Sequence, residues 1–217
     1  MVNDANAEKR TLSASFSAIN VADGVDLYLT QGNDEAIAVS ASDEKYLERF
    51  KTKVEDGTLK IYYDSKGINW LGSEKRKLKA YVSFKTLDKL RASSGAGIHI
   101  KSTLNLTKLE CTLKSGANFY GQVNIEQLVV SQSSGSEAEL TGKTGNLKVE
   151  VSSGAIFKSY DLSVNVCEAK ATSGAGVRIT VNKELSAKAN SVGGIHYKGT
   201  PVIKDLSVSS GGFVKKT

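Results

Sequence analysis

The chain has 217 residues, 40% hydrophobic and 24% charged, with a net charge of +6. That is enough for a substantial core in an ordinary soluble protein. No run of 18 apolar residues exists, which excludes a membrane-spanning helix. The positive charge is spread out, densest at Lys75-Arg76-Lys77 with Lys79, and lacks the aromatic-studded basic groove that nucleic-acid binding would need.

In chain order, residues 1–14 read as a disordered leader, and the polar stretch from Met1 to Arg10 carries no apolar signal-peptide core. Residues 15–86 read as an N-terminal β region. Its strand-like alternations are Val25 to Leu29, Ala36 to Val39, Thr58 to Tyr63 and Lys79 to Phe84, punctuated by Asp23-Gly24, Gly32-Asn33-Asp34 and Asp56-Gly57. Asp43 to Phe50 is expected to form a short helix with Asp43 as N-cap. Gly67 to Glu74 is expected to be an excursion loop carrying the single tryptophan, Trp70, with Ile68 and Leu71 beside it.

Residues 87–217 repeat one pattern seven times. A serine followed by small residues recurs at Ser94, Ser115, Ser134, Ser153, Ser173, Ser191 and Ser210, spaced 18 to 21 residues apart. A period of this size marks a stacked repeat, in which each unit buries its apolar face only against its neighbours. Four positions before the serine stand Leu90, Cys111, Val130, Val149, Ala169, Ala187 and Leu206; four after it stand Ile98, Phe119, Ala138, Phe157, Val177, Ile195 and Val214. With the columns two before and two after, these alternate as strands do and break at a corner near the serine-glycine pair. The column two after the serine is always tiny, from Ala96 to Gly212, so two walls approach closely there. The architecture expected is an all-β, right-handed parallel β-helix (a solenoid) of about seven coils of about 19 residues. The N-terminal β region continues the stack, making 15–217 one continuous domain. At about 4.8 Å per coil the repeats would run roughly 34 Å. Outward charges support the register: Lys148 should lie beside Glu168, and Glu150 beside Lys170.

The serine-glycine-alanine repeat follows an N-terminal region containing Asp23-Gly24-Val25-Asp26-Leu27-Tyr28-Leu29-Thr30-Gln31-Gly32 and Val54-Glu55-Asp56-Gly57-Thr58-Leu59-Lys60-Ile61. This combination resembles the putative auto-transporter adhesin, head GIN domain family, over about residues 15–214. The resemblance implies an exported β-helical domain of Bacteroidetes-type bacteria. Its place would be the periplasm, outer membrane or cell surface, and membrane attachment would come only through a lipid anchor of the lipoprotein kind, removed here with the signal sequence. It carries over no catalytic residue.

Candidate chemistry is sparse. Cys111 and Cys167 lie three coils apart, about 14 Å, too far for a disulfide, and read as buried thiols. His99 and His196 are five coils apart, and no spacing suggests a metal or cofactor. Glu137 and Glu139 with Lys158 and Arg178 could form a charged sugar-binding or, less economically, a polysaccharide-cleaving strip, although such a face is also how a solvated salt-bridge ladder looks. The column five after the serine, His99, Tyr120, Glu139, Lys158, Arg178, His196 and Lys215, is an outward surface suited to a glycan or protein ligand, as is the loop of Ile68, Trp70 and Leu71. These point to a non-enzymatic binding domain with no cofactor. The alternatives are an envelope scaffold acting through self-association as a homo-oligomer, and a polysaccharide-processing β-helix enzyme.

Overall fold

The structure is a computed structural model that describes residue 4 and residues 6–67 and 76–217. In chain order its strands are β1 (Glu8–Arg10), β2 (Ala18–Val21), β3 (Asp26–Gln31), β4 (Ala36–Ser40), β5 (Phe50–Glu55), β6 (Thr58–Tyr63), β7 (Lys79–Phe84), β8 (Lys89–Ala92) and β9 (Gly97–Ile100). The long strands of the repeats follow as β10 (Leu104–Leu113), β11 (Asn118–Gln132), β12 (Glu137–Val151), β13 (Ile156–Ala171) and β14 (Gly176–Ala189), then β15 (Gly194–Lys198), β16 (Val202–Val208) and β17 (Phe213–Lys216).

Each repeat pairs in parallel with the same residues of the next coil, giving the expected β-solenoid: Phe119 on Ala138, Val130 on Val149, Ala169 on Ala187. The inward columns form the core. Leu90, Val130, Val149, Ile98, Phe119 and Phe157 are fully buried. Gln132 is the polar member of an inward column and stays satisfied on one side by donating from Nε2 to the Ile156 carbonyl at 3.2 Å. The outward register is as expected too. Lys148 opposes Glu168, with Nζ 3.4 Å from the carboxylate, and Glu150 opposes Lys170.

The corner is a β-turn with two left-handed residues. Ser94 and Gly95 have φ of 52° and 72°, and the Ala96 amide donates to the Ser93 carbonyl at 3.1 Å. Positive φ at both central residues is the type I′ turn. Glycine was expected to take the left-handed position; the serine takes one as well, from Ser94 through Ser210. Adjacent turns are laced together, for the Gly95 amide donates to the Ser115 carbonyl at 2.9 Å and Gly116 to Ser134 at 3.0 Å. One copy breaks the pattern with Val192 at φ 62°, a β-branched residue 68% exposed. A left-handed L-residue costs about 1–2 kcal/mol, and a β-branched one is a true outlier. Val192→Gly is therefore expected to stabilise the fold by about 1 kcal/mol after the entropy glycine adds to the unfolded chain. Urea midpoints of the two proteins check this, and an unchanged or lower midpoint for the variant would refute it.

The N-terminal region continues the stack by an interleaved route. β2 lies in parallel between β6 and β8, and β3 between β7 and β9. Antiparallel strands then close this end: β5 flanks β6, β4 flanks β7, and β1 flanks β4. Part of the expected leader is thus strand, because Arg10, Lys9 and Glu8 can pair with the otherwise open edge of β4, and Asp4 accepts hydrogen bonds at 2.7 Å from Ser40 Oγ and Tyr81 Oη. The expected helix shrinks to a single 3-10 turn at Glu44–Tyr46. Asp43 caps it, accepting from the Lys45 amide at 3.0 Å. The turn lays Tyr46 over the core end, edge-on to Tyr63 at 6.4 Å.

Candidate functional site

Two of the sequence-derived contact regions meet different ends. Ile68, Trp70 and Leu71 lie outside the described residues. The other candidates come together in one column on the face that follows each serine-glycine corner. His99 opposes Tyr120, Tyr120 opposes Glu139, Lys158 opposes Arg178, Arg178 opposes His196, and His196 opposes Lys215. Glu139 and Lys158 join the two runs with an ion pair of 3.8 Å.

Strand pairing lengthens the column beyond the repeats. Tyr28 of β3 opposes His99 on one side and Tyr81 of β7 on the other. The sequence signal for Tyr28 and Tyr81 was their outward place in alternating strands, but no repeat index connects them to His99. The four rings stack along the solenoid axis: Tyr81 to Tyr28 at 5.2 Å, Tyr28 to His99 at 5.0 Å, and His99 to Tyr120 at 5.8 Å, with interplanar angles of 17° to 22°. Such offset stacking follows from placing one ring on every rung.

The surroundings keep the phenols protonated. Burial and the neighbouring Asp26 carboxylate raise the Tyr28 pKa. Burial and the hydrogen bond to Asp4 push Tyr81 up to about 12. Burial, Glu137 and Glu139 raise Tyr120. The Lys101 ammonium sits over the Tyr28 ring at 4.7 Å, and His99 Nε2 lies 3.7 Å from Asp26 Oδ1. Because the ring faces lie against one another, what the strip offers outward is ring edges, with the hydroxyls of Tyr28 and Tyr120 and the His99 imidazole between them, while the Tyr81 hydroxyl donates to Asp4. The remaining rungs, from Glu139 to Lys215, offer mostly positive charge.

Glu139 is committed to Lys158 on an open face, and Glu137, two residues before it on the same strand, pairs with Asn118 and Ile156 in the ladder. The cysteines are free and buried, in different coils. Cys167 fills a leucine column between Leu147 and Leu185, and burial pushes both thiols up to about 12, leaving them as small apolar residues. Among the described residues no cluster of three His, Cys, Asp or Glu side chains could hold a metal ion.

A surface concavity was missed by counting from the serine. A surface groove of about 570 Å³ crosses β10 to β13, lined by Asn105, Asn124, Glu126, Lys143, Ser163 and Asn165 among others. Asn124 Nδ2 donates to Asn105 Oδ1 at 2.9 Å, one coil to the next. The omission has a simple cause: the columns read from the serine reach five residues past it, whereas Asn105, Asn124 and Lys143 stand eleven, nine and nine residues after Ser94, Ser115 and Ser134. On β13 a bulge adds a further shift, for Ala138 lies on Phe157 but Gly142 on Leu162.

No curated protein matches the chain. Among solved structures, that of a "putative adhesin" from Bacteroides fragilis superposes with a TM-score of 0.88 at 20% identity, covering 97% of this chain and 96% of that one. One of a "putative adhesin" from Parabacteroides merdae gives 0.73 at 16%, covering 99% and 97%. One of a "putative lipid binding protein" from Parabacteroides distasonis gives 0.66 at 22%, covering 99% and 98%. At these identities the likeness speaks for the solenoid itself. The family described as "Putative auto-transporter adhesin, head GIN domain" matches residues 15–201, and the chain belongs to it.

Proposed function

We propose that this chain is a non-enzymatic binding head domain, exported to the cell envelope, which engages a glycan or protein through its outward ladder. The observation that carries this reading is the continuous column from Tyr81 through Tyr28, His99 and Tyr120 to Lys215, a regular row of hydroxyl, imidazole and basic groups on a flat face. Family membership supports a binding role. The lipid-binding name of the Parabacteroides distasonis structure transfers poorly to a solenoid interior, because the inward columns here are filled by side chains such as Leu90, Phe119 and Phe157 with no exposure.

The test is a glycan and extracellular-matrix array on the chain, followed by titration of any hit against three variants. Tyr28→Phe with Tyr120→Phe removes hydroxyls but keeps the stack, and Arg178→Glu reverses charge on the same column. A drop of about tenfold or more in affinity for either is expected, since each 1.4 kcal/mol of lost contact is one decade. Binding untouched by both, yet lost in Asn124→Ala, would move the site to the groove. Selective cleavage of an acidic polysaccharide that depends on Glu137 and Glu139 would overturn the non-enzymatic reading.

A further inference from the structure

The two ends of the solenoid are finished differently. At the N-terminal end β1, β4 and β5 run antiparallel over the stack, and Tyr46, Phe50 and Tyr63 are buried beneath them. At the other end the inward columns simply stop. Ile203 lies on Leu185, Leu206 on Ala187 and Val208 on Ala189; the lower members are at most 2% exposed, while Ile203, Leu206 and Val208 are 41%, 55% and 48% exposed. Val192, Val202 and Phe213 add to the same end, so six of the eight exposed large apolar side chains among the described residues gather on the last coil and the turn beneath its own. β16 pairs only with β14, and β17 only with β15, leaving an open edge of backbone donors and acceptors. Stacked repeats need a polar cap at each end, and a long apolar edge strand recruits another strand.

β16 carries the complement of itself. A register shift after Ile203 lets two consecutive residues face outward: Lys204 reaches Glu184 at 3.4 Å and Asp205 is reached by Lys188 at 3.3 Å. Ile203 and Leu206, on either side, both face inward. A two-fold axis passing between Lys204 and Asp205 therefore opposes Lys204 to Asp205 of the partner subunit, and Ile203 to Leu206 of the partner subunit. The two central pairs then match charge to opposite charge and apolar to apolar, and Val202 meets Ser207 at the next position.

We propose that the C-terminal end of the solenoid is the interface of a two-fold dimer, with β16 pairing antiparallel to β16 of a second copy and the exposed ends of the two cores meeting. The contact is isologous and closes at two subunits, because the antiparallel strands at the far end leave no parallel edge for head-to-tail growth. The dimer would carry two ladders pointing away from a common junction, which gives a bivalent head. The inference does not rest on the ladder, and its variants leave the ladder untouched.

Sedimentation equilibrium on the whole chain tests it, with circular dichroism to show that each variant keeps its strands. The expected mass is twice the 23.1 kDa of the chain. Leu206→Lys should weaken association by tenfold or more, about 1.4 kcal/mol. Lys204→Asp and Asp205→Lys each set like charges against one another in a homodimer and should each fall apart. Mixed together, they restore opposite charges in a heterodimer and should reassemble. A chain that stays monomeric at about 100 µM, where a micromolar dimer would be almost fully formed, overturns the proposal. So does a trimer or larger ring, or two charge variants that dimerise as well alone as mixed.

Discussion

Phe119→Ala is expected to lower the stability of the solenoid by about 3–5 kcal/mol, the range for removing a fully enclosed aromatic ring. Phe119 has no exposure and stands in a column with Ile98 before it and Ala138 after it, followed by Phe157, all of them fully buried. The large-small-large sequence Phe119, Ala138, Phe157 shows that the column is filled by alternation, and Ala138 has no bulk to spare for a neighbouring hole. Rigid ladders on both sides prevent the backbone from collapsing into the space. In a nearest-neighbour stack the loss is felt first by the coils that touch it, so the urea transition should shift and can also broaden as neighbouring coils lose coupling. Urea unfolding followed by circular dichroism measures it, and a loss below about 1 kcal/mol would mean the cavity is refilled. Adding Ala138→Phe to Phe119→Ala conserves column volume and should recover part of the deficit.

Gly142→Ala is expected to cost about 2–6 kcal/mol, unusually much for one methyl group, by adding strain of about 1–3 kcal/mol to overpacking of similar size. Gly142 has φ 101°, and a Cβ there would lie 2.2 Å from the carbonyl oxygen of Val123, its ladder partner in the preceding coil. The obstructing atom is backbone held in the parallel ladder, so neither side can yield cheaply. Gly135→Ala separates the two causes. Gly135 is also left-handed, at φ 69°, but nothing lies within 4 Å of its would-be Cβ, so only about 1 kcal/mol is expected from the turn. Equal losses in the two variants, read from their urea midpoints, would show that conformation alone and not close approach makes Gly142 necessary.

These two sites also show how unevenly the fold was readable. Phe119 and Ala138 declared themselves by their fixed distance from a serine, as did the Lys148–Glu168 register. Gly142 did not, because it stands eight residues after Ser134, beyond the columns read from the serine, and only the ladder sets it against Val123. The asparagine-rich groove was hidden for the same reason. The outward column from His99 to Lys215 was legible rung by rung, whereas its continuation through Tyr28 and Tyr81 was not, since those residues come from strands outside the repeat.

By itself the sequence determined the repeating coil, its glycine corners, the inward and outward columns and the parallel register. Each of these depends on alternation or spacing within a single coil and its neighbour, and local chemistry expresses it directly. Tertiary structure alone decided that β2 and β3 slip between β6–β7 and β8–β9, that antiparallel strands seal one end, and that the other end is left apolar and open. Those outcomes depend on which distant edge a strand finds unpaired, and no spacing along the chain records that choice.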